Sequence, residues 1–201
     1  MRRFLIPVLL LTVAGAAGGC DVKLGTPTAG STASSTTSAS PQARTAGLAT
    51  VHDPGKVTGT APASCHVLSG PRPDPTCTPG AIDPAVTQAN ISTTICRSGY
   101  TATVRPPTSQ TNKLKAQMYK AYGIKTGTVS ELDHLVSLEL GGANDALNLW
   151  PEVGSLPNPK DTVENDLHRA VCSGKVKLAA AQQAIAANWM TAEKVLGLTT
   201  K

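Results

Sequence analysis

A period-two pattern of side chains runs through the middle of the chain, at Leu132, His134, Val136 and Leu138. Alternation of this kind is typical of a β-strand that has one face in the core. Two glycines follow at residues 141–142, and a second apolar run begins at Leu147. The pattern predicts two strands that are joined through a glycine turn, as a hairpin or an Ω-like pair.

Helical patterns flank these strands. Residues 113–122 are amphipathic and are followed by a glycine, which is common at the end of a helix. Residues 159–172 begin with proline and are followed by a Ser-Gly pair, so both helix ends are marked. Residues 178–195 predict a last helix, whose apolar stripe we assign to the core, at Leu178, Ala181, Ile185 and Trp189.

Two shorter runs of β-branched residues lie upstream. Residues 91–96 and 101–104 are separated by an Arg-Ser-Gly turn, and both predict strands. Taken with the helices, these patterns predict a small, mostly helical α+β domain. Within it, two strands and the helix that follows them form a ββα unit at about residues 129–172.

The N-terminus predicts export. Residues 1–19 have a basic start, an apolar run and a stretch of small residues, which are the three regions of a secretory signal peptide. The apolar run is too short to span a membrane. Cys20 follows Ala-Gly-Gly, which resembles a bacterial lipobox and predicts a lipid anchor on the outer face of the cell membrane. The alternative is ordinary cleavage near residues 14–16, which would leave Cys20 as a free thiol in a secreted protein.

Residues 20–61 differ in composition from the rest of the chain. They are dominated by Ser, Thr, Ala, Gly and Pro, with few large apolar residues, so they predict a disordered linker. Residues 62–201 are then left as one folded domain.

Cross-links would help this domain, because aromatic residues make up 3% of the chain and the core must be mostly aliphatic. Four cysteines follow Cys20, and an even number in an exported chain favours two disulfides. Of the three possible connectivities we favour Cys65–Cys77 with Cys96–Cys172. A zinc–cysteine site is disfavoured, since the sequence has no C-x-x-C pair.

Candidate chemistry lies at the end of the first predicted strand, where Asp133 precedes His134. A carboxylate is a suitable ligand for a hard divalent cation. A neutral imidazole can remove a proton from water for attack on phosphorus. An acid, a histidine, a glycine turn and Asn148 in one short unit therefore indicate metal-dependent phosphodiester cleavage.

The order of an Asp-His strand, a Gly-Gly turn, an Asn-Leu strand and a helix resembles the ββα-metal fold of HNH-type endonucleases. The match covers about residues 131–172, and small secreted actinobacterial proteins share its DHL…LELGG…NLWPE string. The resemblance implies that Asp133 is a metal ligand, that His134 is the general base, and that the Asn148 amide holds the loop that carries the histidine. Ser137 departs from the family pattern, which often has proline there.

The family places a further ligand on the helix, where the sequence leaves a choice. Asn158 lies near the expected distance, but it also suits a plain helix N-cap before Pro159. Asp161 is the alternative oxygen donor. His168 would lie about 15 Å further along the helix and is expected to be structural. The chosen ligand should converge with Asp133 and His134 on a common cavity.

Charge placement favours a polyanionic partner. The net charge is +5, and residues 84–130 contain no Asp or Glu. Their basic residues are Arg97, Arg105, Lys113, Lys115, Lys120 and Lys125. A one-signed stretch beside the candidate site would attract phosphates, which favours nucleic acid as the partner. Anionic lipid headgroups or wall polymers are the alternative.

The sequence therefore predicts an exported, lipid-anchored and monomeric nuclease that acts on DNA or RNA with Mg²⁺ or Mn²⁺. The alternative, from a different functional class, is a non-catalytic cell-envelope lipoprotein that uses a nuclease-like scaffold for binding or adhesion.

Overall fold

A computed structural model describes residues 47–66, 68 and 71–198 of the 201-residue chain. These residues form a small α+β domain with two disulfides, which confirms the predicted fold class at this level. The predicted signal peptide, residues 1–19, and the predicted lipidation site, Cys20, lie outside the described residues. Within the described ranges, every helix is too short or too polar to cross a membrane.

The strands form two sheets of two strands each. In chain order the strands are β1 (Ala49–Thr50), β2 (Ala81–Ile82), β3 (Ser130–His134) and β4 (Leu149–Val153). β1 and β2 are parallel, whereas β3 and β4 are antiparallel with Ser130 opposite Val153 and His134 opposite Leu149. The predicted pair of strands around the glycines is therefore present, although a loop of residues 135–148 joins them instead of a tight turn.

The loop requires glycine at residues 141 and 142 for two different structural reasons. Gly141 has a φ of 73°, a left-handed conformation that favours glycine, directly after a 3₁₀ turn at Leu138–Leu140. Gly142 lies against the start of the same loop, and a Cβ atom there would be 1.7 Å from the carbonyl oxygen of Val136. The diglycine thus allows the loop to fold back on itself close to His134.

Helices make up most of the regular structure. They are α1 (Tyr100–Val104), α2 (Thr108–Ala121), α3 (Pro159–Cys172), α4 (Leu178–Asn188) and α5 (Ala192–Val195), with a 3₁₀ turn at Trp189–Thr191 between the last two. α3 has the predicted bounds. α2 begins five residues before the amphipathic pattern predicted, because polar side chains in its first turn face solvent and add no periodic signal.

Two strand predictions are wrong. Residues 91–96 form consecutive turns, and residues 101–104 belong to α1. In the first segment the hydroxyl groups of Thr93 and Thr94 donate to the carbonyl oxygen of Asn90 at 3.1 and 2.8 Å. Threonine side chains that bond to a nearby carbonyl group satisfy the backbone locally, so the β-branched residues turn instead of extending.

The last predicted helix is interrupted. Asn188 has an extended backbone, and its side-chain oxygen accepts from the Met190 amide at 3.2 Å, which caps a new turn. The predicted apolar stripe is nevertheless buried, and its four members, Leu178, Ala181, Ile185 and Trp189, all belong to one core cluster. α3, α4 and the loop after β3 enclose this cluster.

Both predicted disulfides are confirmed. Cys96–Cys172 ties the turns before α1 to the end of α3, and Cys65–Cys77 closes a short loop beside the second core cluster. That cluster packs α2 against β4 through Leu114, Met118 and Leu149. Each disulfide thus borders a region in which the core has few large rings.

The predicted linker boundary at residue 61 is too late. β1 already pairs with β2, and Asp53 is buried and hydrogen-bonded to Asn144. The composition of this segment lacks large apolar residues, but backbone pairing and buried polar contacts do not require them. Composition alone therefore misplaced the start of the folded domain.

Candidate functional site

β3 presents Asp133 and His134 to different parts of the molecule. The Asp133 carboxylate accepts from the Lys160 ammonium of α3 at 2.7 Å, whereas the His134 imidazole bonds to Asn144 at 2.9 Å. Successive side chains of a strand point to opposite faces, which explains the separation. The structure therefore gives the two predicted residues separate hydrogen-bond networks and does not bring them to one cavity.

The hydrogen bonds of Asn144 determine the tautomer of His134. The Asn144 amide nitrogen donates to Asp53 at 2.5 Å and to the Val104 carbonyl oxygen at 2.9 Å, so its oxygen must face the imidazole. His134 Nε2 then carries the proton and donates to that oxygen. Its Nδ1 is left with a free lone pair, which is the state that a general base requires.

Asp53 holds Asn144 from a second direction as well. The carboxylate of Asp53 also accepts from the Asn144 backbone amide at 2.6 Å. Two bonds to one carboxylate fix both the backbone and the side chain of Asn144. The hydrogen bonds between Asp53 and Asn144 and between Asn144 and His134 therefore position the imidazole. Asp53 and Asn144 are 91 residues apart in the chain.

Burial keeps His134 neutral. Removal from water lowers the pKa of His134 to about 4, although the Asn144 hydrogen bond and the charge of Asp133 act in the opposite direction. Arg105 and Lys160 lower the pKa further through their positive charges. At neutral pH the imidazole is therefore uncharged and able to accept a proton.

His134 forms part of the wall of a cavity of about 230 Å³ between β3 and the start of α2. Arg105 and Lys115 contribute positive charge to this cavity, and Thr108 and Thr111 of the first turn of α2 contribute hydroxyl groups. The N-terminus of a helix also favours anions. This His134 cavity is thus suited to a phosphate group.

Asn148 fastens the loop that follows His134. Its side-chain oxygen accepts from the Val136 amide, and its nitrogen donates to the carbonyl oxygens of Val136 and Ala143, each at 2.9 Å. The same oxygen also accepts from the Ala81 amide of β2 at 3.3 Å. Asn148 therefore links both ends of the loop to the other sheet, which is the geometry that the HNH resemblance implied.

A second group of polar side chains lies where β3 and β4 meet α3. Glu131, Asp133 and Glu152 each place a carboxylate oxygen within 4.8 Å of the others. We call these three residues the carboxylate cluster. Glu131 and Glu152 are direct partners in the antiparallel register, so two acids face each other across the strands.

Glu152 is the most unusual member of the carboxylate cluster. It is 2% exposed, and neither carboxylate oxygen has a hydrogen-bond partner among the described residues. Burial, together with the charge of Asp133, raises the pKa of Glu152 to about 8. A buried carboxyl group without partners is costly for folding, so its position needs an explanation.

Lys160 lies behind Asp133 with no exposed surface. Its ammonium group donates to Asp133 and to the His134 carbonyl oxygen, both at 2.7 Å, and also to Glu164. Burial by itself would lower the pKa of Lys160, but the charges of Asp133 and Glu164 outweigh it and raise the pKa. The lysine therefore stays charged and anchors α3 to β3.

The two residues predicted as alternative helix ligands, Asn158 and Asp161, lie outside the carboxylate cluster. The Asn158 side-chain oxygen accepts from the Lys160 amide at 2.8 Å and the Asp161 amide at 3.3 Å, while its nitrogen donates to Glu131. This is the cap that the sequence offered as the alternative to a ligand. Asp161 is not part of the carboxylate cluster.

His168 is structural, as the sequence suggested. Its Nε2 bonds to the Ile95 carbonyl oxygen at 2.9 Å, and the ring lies beside the Cys96–Cys172 disulfide. Both of those sulfur atoms are bonded to each other, so this group is not a metal site.

Several residues of these networks were missed in the sequence, namely Asp53, Asn144, Glu152, Lys160 and Glu164. Glu131 had a signal, because strand alternation puts it on the same face as Asp133. Glu152 had none, since its position opposite Glu131 depends on a register across a loop of 14 residues.

Comparisons with known proteins add no relative: no family model, no curated protein and no solved structure matches this chain. The likeness to HNH endonucleases therefore stays a prediction from the motif residues.

Proposed function

We propose that this protein is an exported, metal-dependent nuclease that hydrolyses phosphodiester bonds of nucleic acid. The observation that carries the proposal is His134, a buried, neutral imidazole with one tautomer, in the wall of a basic cavity. The motif resemblance and the basic stretch before β3 agree with this assignment.

In the proposed reaction Arg105 and Lys115 bind the phosphate and balance its charge. His134 Nδ1 removes a proton from the attacking water, while the other ring proton stays on Nε2 and is donated to the Asn144 side-chain oxygen. Asp53 keeps Asn144 in the orientation that makes this possible. Loss of the Asp53 or Asn144 hydrogen bonds would therefore change the orientation of the His134 imidazole more than it would weaken substrate binding.

A divalent cation such as Mg²⁺ or Mn²⁺ belongs to the proposal. When bound, it would supply positive charge for a phosphate at the Asp133 face of β3, which lies opposite the His134 face. Asp133 is the predicted ligand, and the neighbouring oxygen donors fit a hard cation, including the buried carboxylate of Glu152 that has no other partner. Asn158 is not included, because its oxygen caps α3.

One observation favours the alternative of a non-catalytic envelope lipoprotein. The ion pair between Asp133 and Lys160 gives Asp133 a structural role that needs no metal. Under this alternative the basic surface would bind an anionic polymer or lipid without cleaving it. Export and lipidation at Cys20 are common to both functions and are part of the same proposal.

A nicking assay tests the proposal. Supercoiled DNA and single-stranded RNA are incubated with the protein and Mg²⁺, Mn²⁺ or a chelator. We expect cleavage only with metal, and we expect His134→Ala to lower the rate by about a hundredfold to ten-thousandfold, the usual contribution of a general base. His168→Ala is the matched control, since that histidine lies outside the cavity.

Two results would refute the nuclease function. Either no metal supports cleavage of any substrate, or His134→Ala cleaves as fast as His168→Ala. Binding of anionic vesicles or wall polymers without cleavage would then support the alternative.

A further inference from the structure

We propose that Glu131, Asp133 and Glu152 together bind one hard divalent cation, with Lys160 as a fixed ammonium group behind Asp133. This inference rests on the proposed function for its purpose, because it names the ligands of the ion that hydrolysis would use. It differs from the ligand set that the motif implies, in which residues at the start of α3 complete the site. Its test measures metal binding directly and does not require cleavage.

The spacing of the oxygens fits a single ion. A carboxylate oxygen binds Mg²⁺, Mn²⁺ or Ca²⁺ at about 2.0 to 2.6 Å, so oxygens on one ion are at most about 4 to 5 Å apart. The ligand oxygens of the carboxylate cluster lie within 4.8 Å of one another. An ion can therefore contact all three after small side-chain movements.

The register of the strands provides a second argument. Glu131 and Glu152 are directly opposite each other in the antiparallel pair. Like charges at such positions destabilise a sheet. A pair of facing glutamates, of which Glu152 is buried, therefore opposes folding unless a cation or a proton neutralises the pair.

Glu152 provides the decisive observation. It is 2% exposed, it points into the carboxylate cluster, and neither of its oxygens has a hydrogen-bond partner in the described part of the chain. Buried polar groups are almost always paired with protein, water or an ion. A metal ion would supply the missing partner for both carboxylate oxygens.

Lys160 cannot supply that partner, because its ammonium group is already engaged. It donates to one oxygen of Asp133, to Glu164 and to the His134 carbonyl oxygen. Asp133 and Glu164 contact this one ammonium group, and the carboxylates of Glu131 and Glu152 lie beside that of Asp133. A divalent cation would reduce the excess of negative charge without reversing it.

The donor set also limits the class of metal. All three ligands are carboxylates, and the cluster contains no imidazole or thiolate. Oxygen-only sites favour Mg²⁺, Mn²⁺ and Ca²⁺ over Zn²⁺ and Cu²⁺. Asp133 would use the oxygen that Lys160 leaves free.

Titration of the metal-free protein with Mn²⁺, followed by calorimetry and by the electron paramagnetic resonance of free Mn²⁺, tests the inference. We expect one site with a dissociation constant below about 1 mM, in the range of known carboxylate sites. Glu152→Gln should weaken binding at least about tenfold. Asp161→Asn is the matched control and should bind as the wild type does.

Thermal unfolding provides a check that does not depend on affinity. Glu152→Gln keeps the shape of the side chain and adds no charge to this buried position, so the metal-free variant should melt at or above the wild-type temperature. Mn²⁺ should raise the melting temperature of the wild type and not that of the variant. Glu131→Gln, which lies on the other strand, should show the same loss if Glu152→Gln fails to fold.

The outcomes separate this inference from the proposed function. His134→Ala should bind Mn²⁺ normally although it does not cleave. If Asp161→Asn loses binding while Glu152→Gln keeps it, the ligands are those of the motif and the inference is wrong. If the wild type binds none of the three metals, the inference is also wrong, whatever the nicking assay shows.

Discussion

At His134, burial and hydrogen bonding act on protonation in opposite directions. Burial dominates and lowers the pKa to about 4, against the Asn144 hydrogen bond and the charge of Asp133. The imidazole is therefore neutral across the physiological range, although a pKa of about 4 makes it a weaker base than an exposed histidine. The hydrogen-bond partner at Nε2 is therefore the residue at which a single change should alter the pH dependence most.

Replacement of Asn144 by Asp tests this. The change removes the amide that donates to Asp53 and puts a second carboxyl group between Asp53 and His134 Nε2, and the negative charge of these two adjacent acids favours the charged imidazolium and raises the pKa of His134. For the wild type we expect the acid limb of kcat/KM near pH 4, which is where the pKa of His134 lies. For Asn144→Asp we expect the limb to move up by at least about one unit.

The control is Asn112→Asp, which adds the same charge to the exposed side of the His134 cavity without a contact to Nε2. Its acid limb should move less, because solvent screens the new charge. If the wild-type limb lies near the ordinary histidine value of about 6.5, a group other than buried His134 controls the rate.

Among the elements, α3 has the clearest local reasons for its bounds. Asn158 caps it, Pro159 occupies its first position, and Ser173 with Gly174 ends it. The same helix carries Lys160 to the back of β3, so its start determines where the ammonium group lies. The cap therefore affects both the stability of the helix and the geometry of the carboxylate cluster.

Two variants at Asn158 separate a cap from a metal ligand. Asn158→Ala should lower the free energy of unfolding by about 0.5 to 2 kcal/mol, since two amides lose their acceptor. Asn158→Ser should recover most of this loss, because serine is also a good cap. Both variants lose the bond to Glu131, so urea denaturation of the pair isolates the contribution of the cap.

In the Mn²⁺ titration, Asn158→Ser should bind like the wild type. A stable Asn158→Ser protein that no longer binds Mn²⁺ would contradict the assignment of Asn158 as a cap and restore it as a ligand.

For the whole molecule, a few long-range links hold distant segments together. Asp53 bonds to Asn144, Trp189 donates to the Pro71 carbonyl oxygen at 2.6 Å, and Cys96 is joined to Cys172. Such links count for more in a domain with few aromatic side chains. The two disulfides differ greatly in the length of chain that they enclose.

Removal of each disulfide should therefore have a different cost. The Cys96–Cys172 link has a sequence separation of 76 and the Cys65–Cys77 link one of 12. The chain-entropy model gives about 4 to 5 kcal/mol for the long loop and about 3 kcal/mol for the short one. We expect the Cys96→Ala/Cys172→Ala protein to be less stable than Cys65→Ala/Cys77→Ala in urea denaturation at neutral pH.

The Cys65→Ala/Cys77→Ala protein is the control, because it shows the effect of losing a disulfide that closes only a short loop. Equal stability of the two double variants would show that strain or residual structure in the unfolded chain, and not loop length, determines the effect.

The sequence by itself determined the features whose signals lie within a turn or two of each other. α3 was predicted to the residue because cap, proline and terminating glycine are local. The buried stripe of α4 followed from helical periodicity, and the even cysteine count with the predicted export favoured two disulfides. The Asp133–His134 pair and Asn148 were found because strand, turn and strand are close in the chain.

The tertiary structure decided which of these residues act together. Glu152 reaches Glu131 through a register that no local signal encodes, and Asp53 reaches Asn144 from a segment that composition had assigned to a linker. Lys160 is buried beside Asp133, and no local pattern in the helix indicates this position. Burial and charge pairing depend on which surfaces pack together, and only the folded chain brings those surfaces into contact.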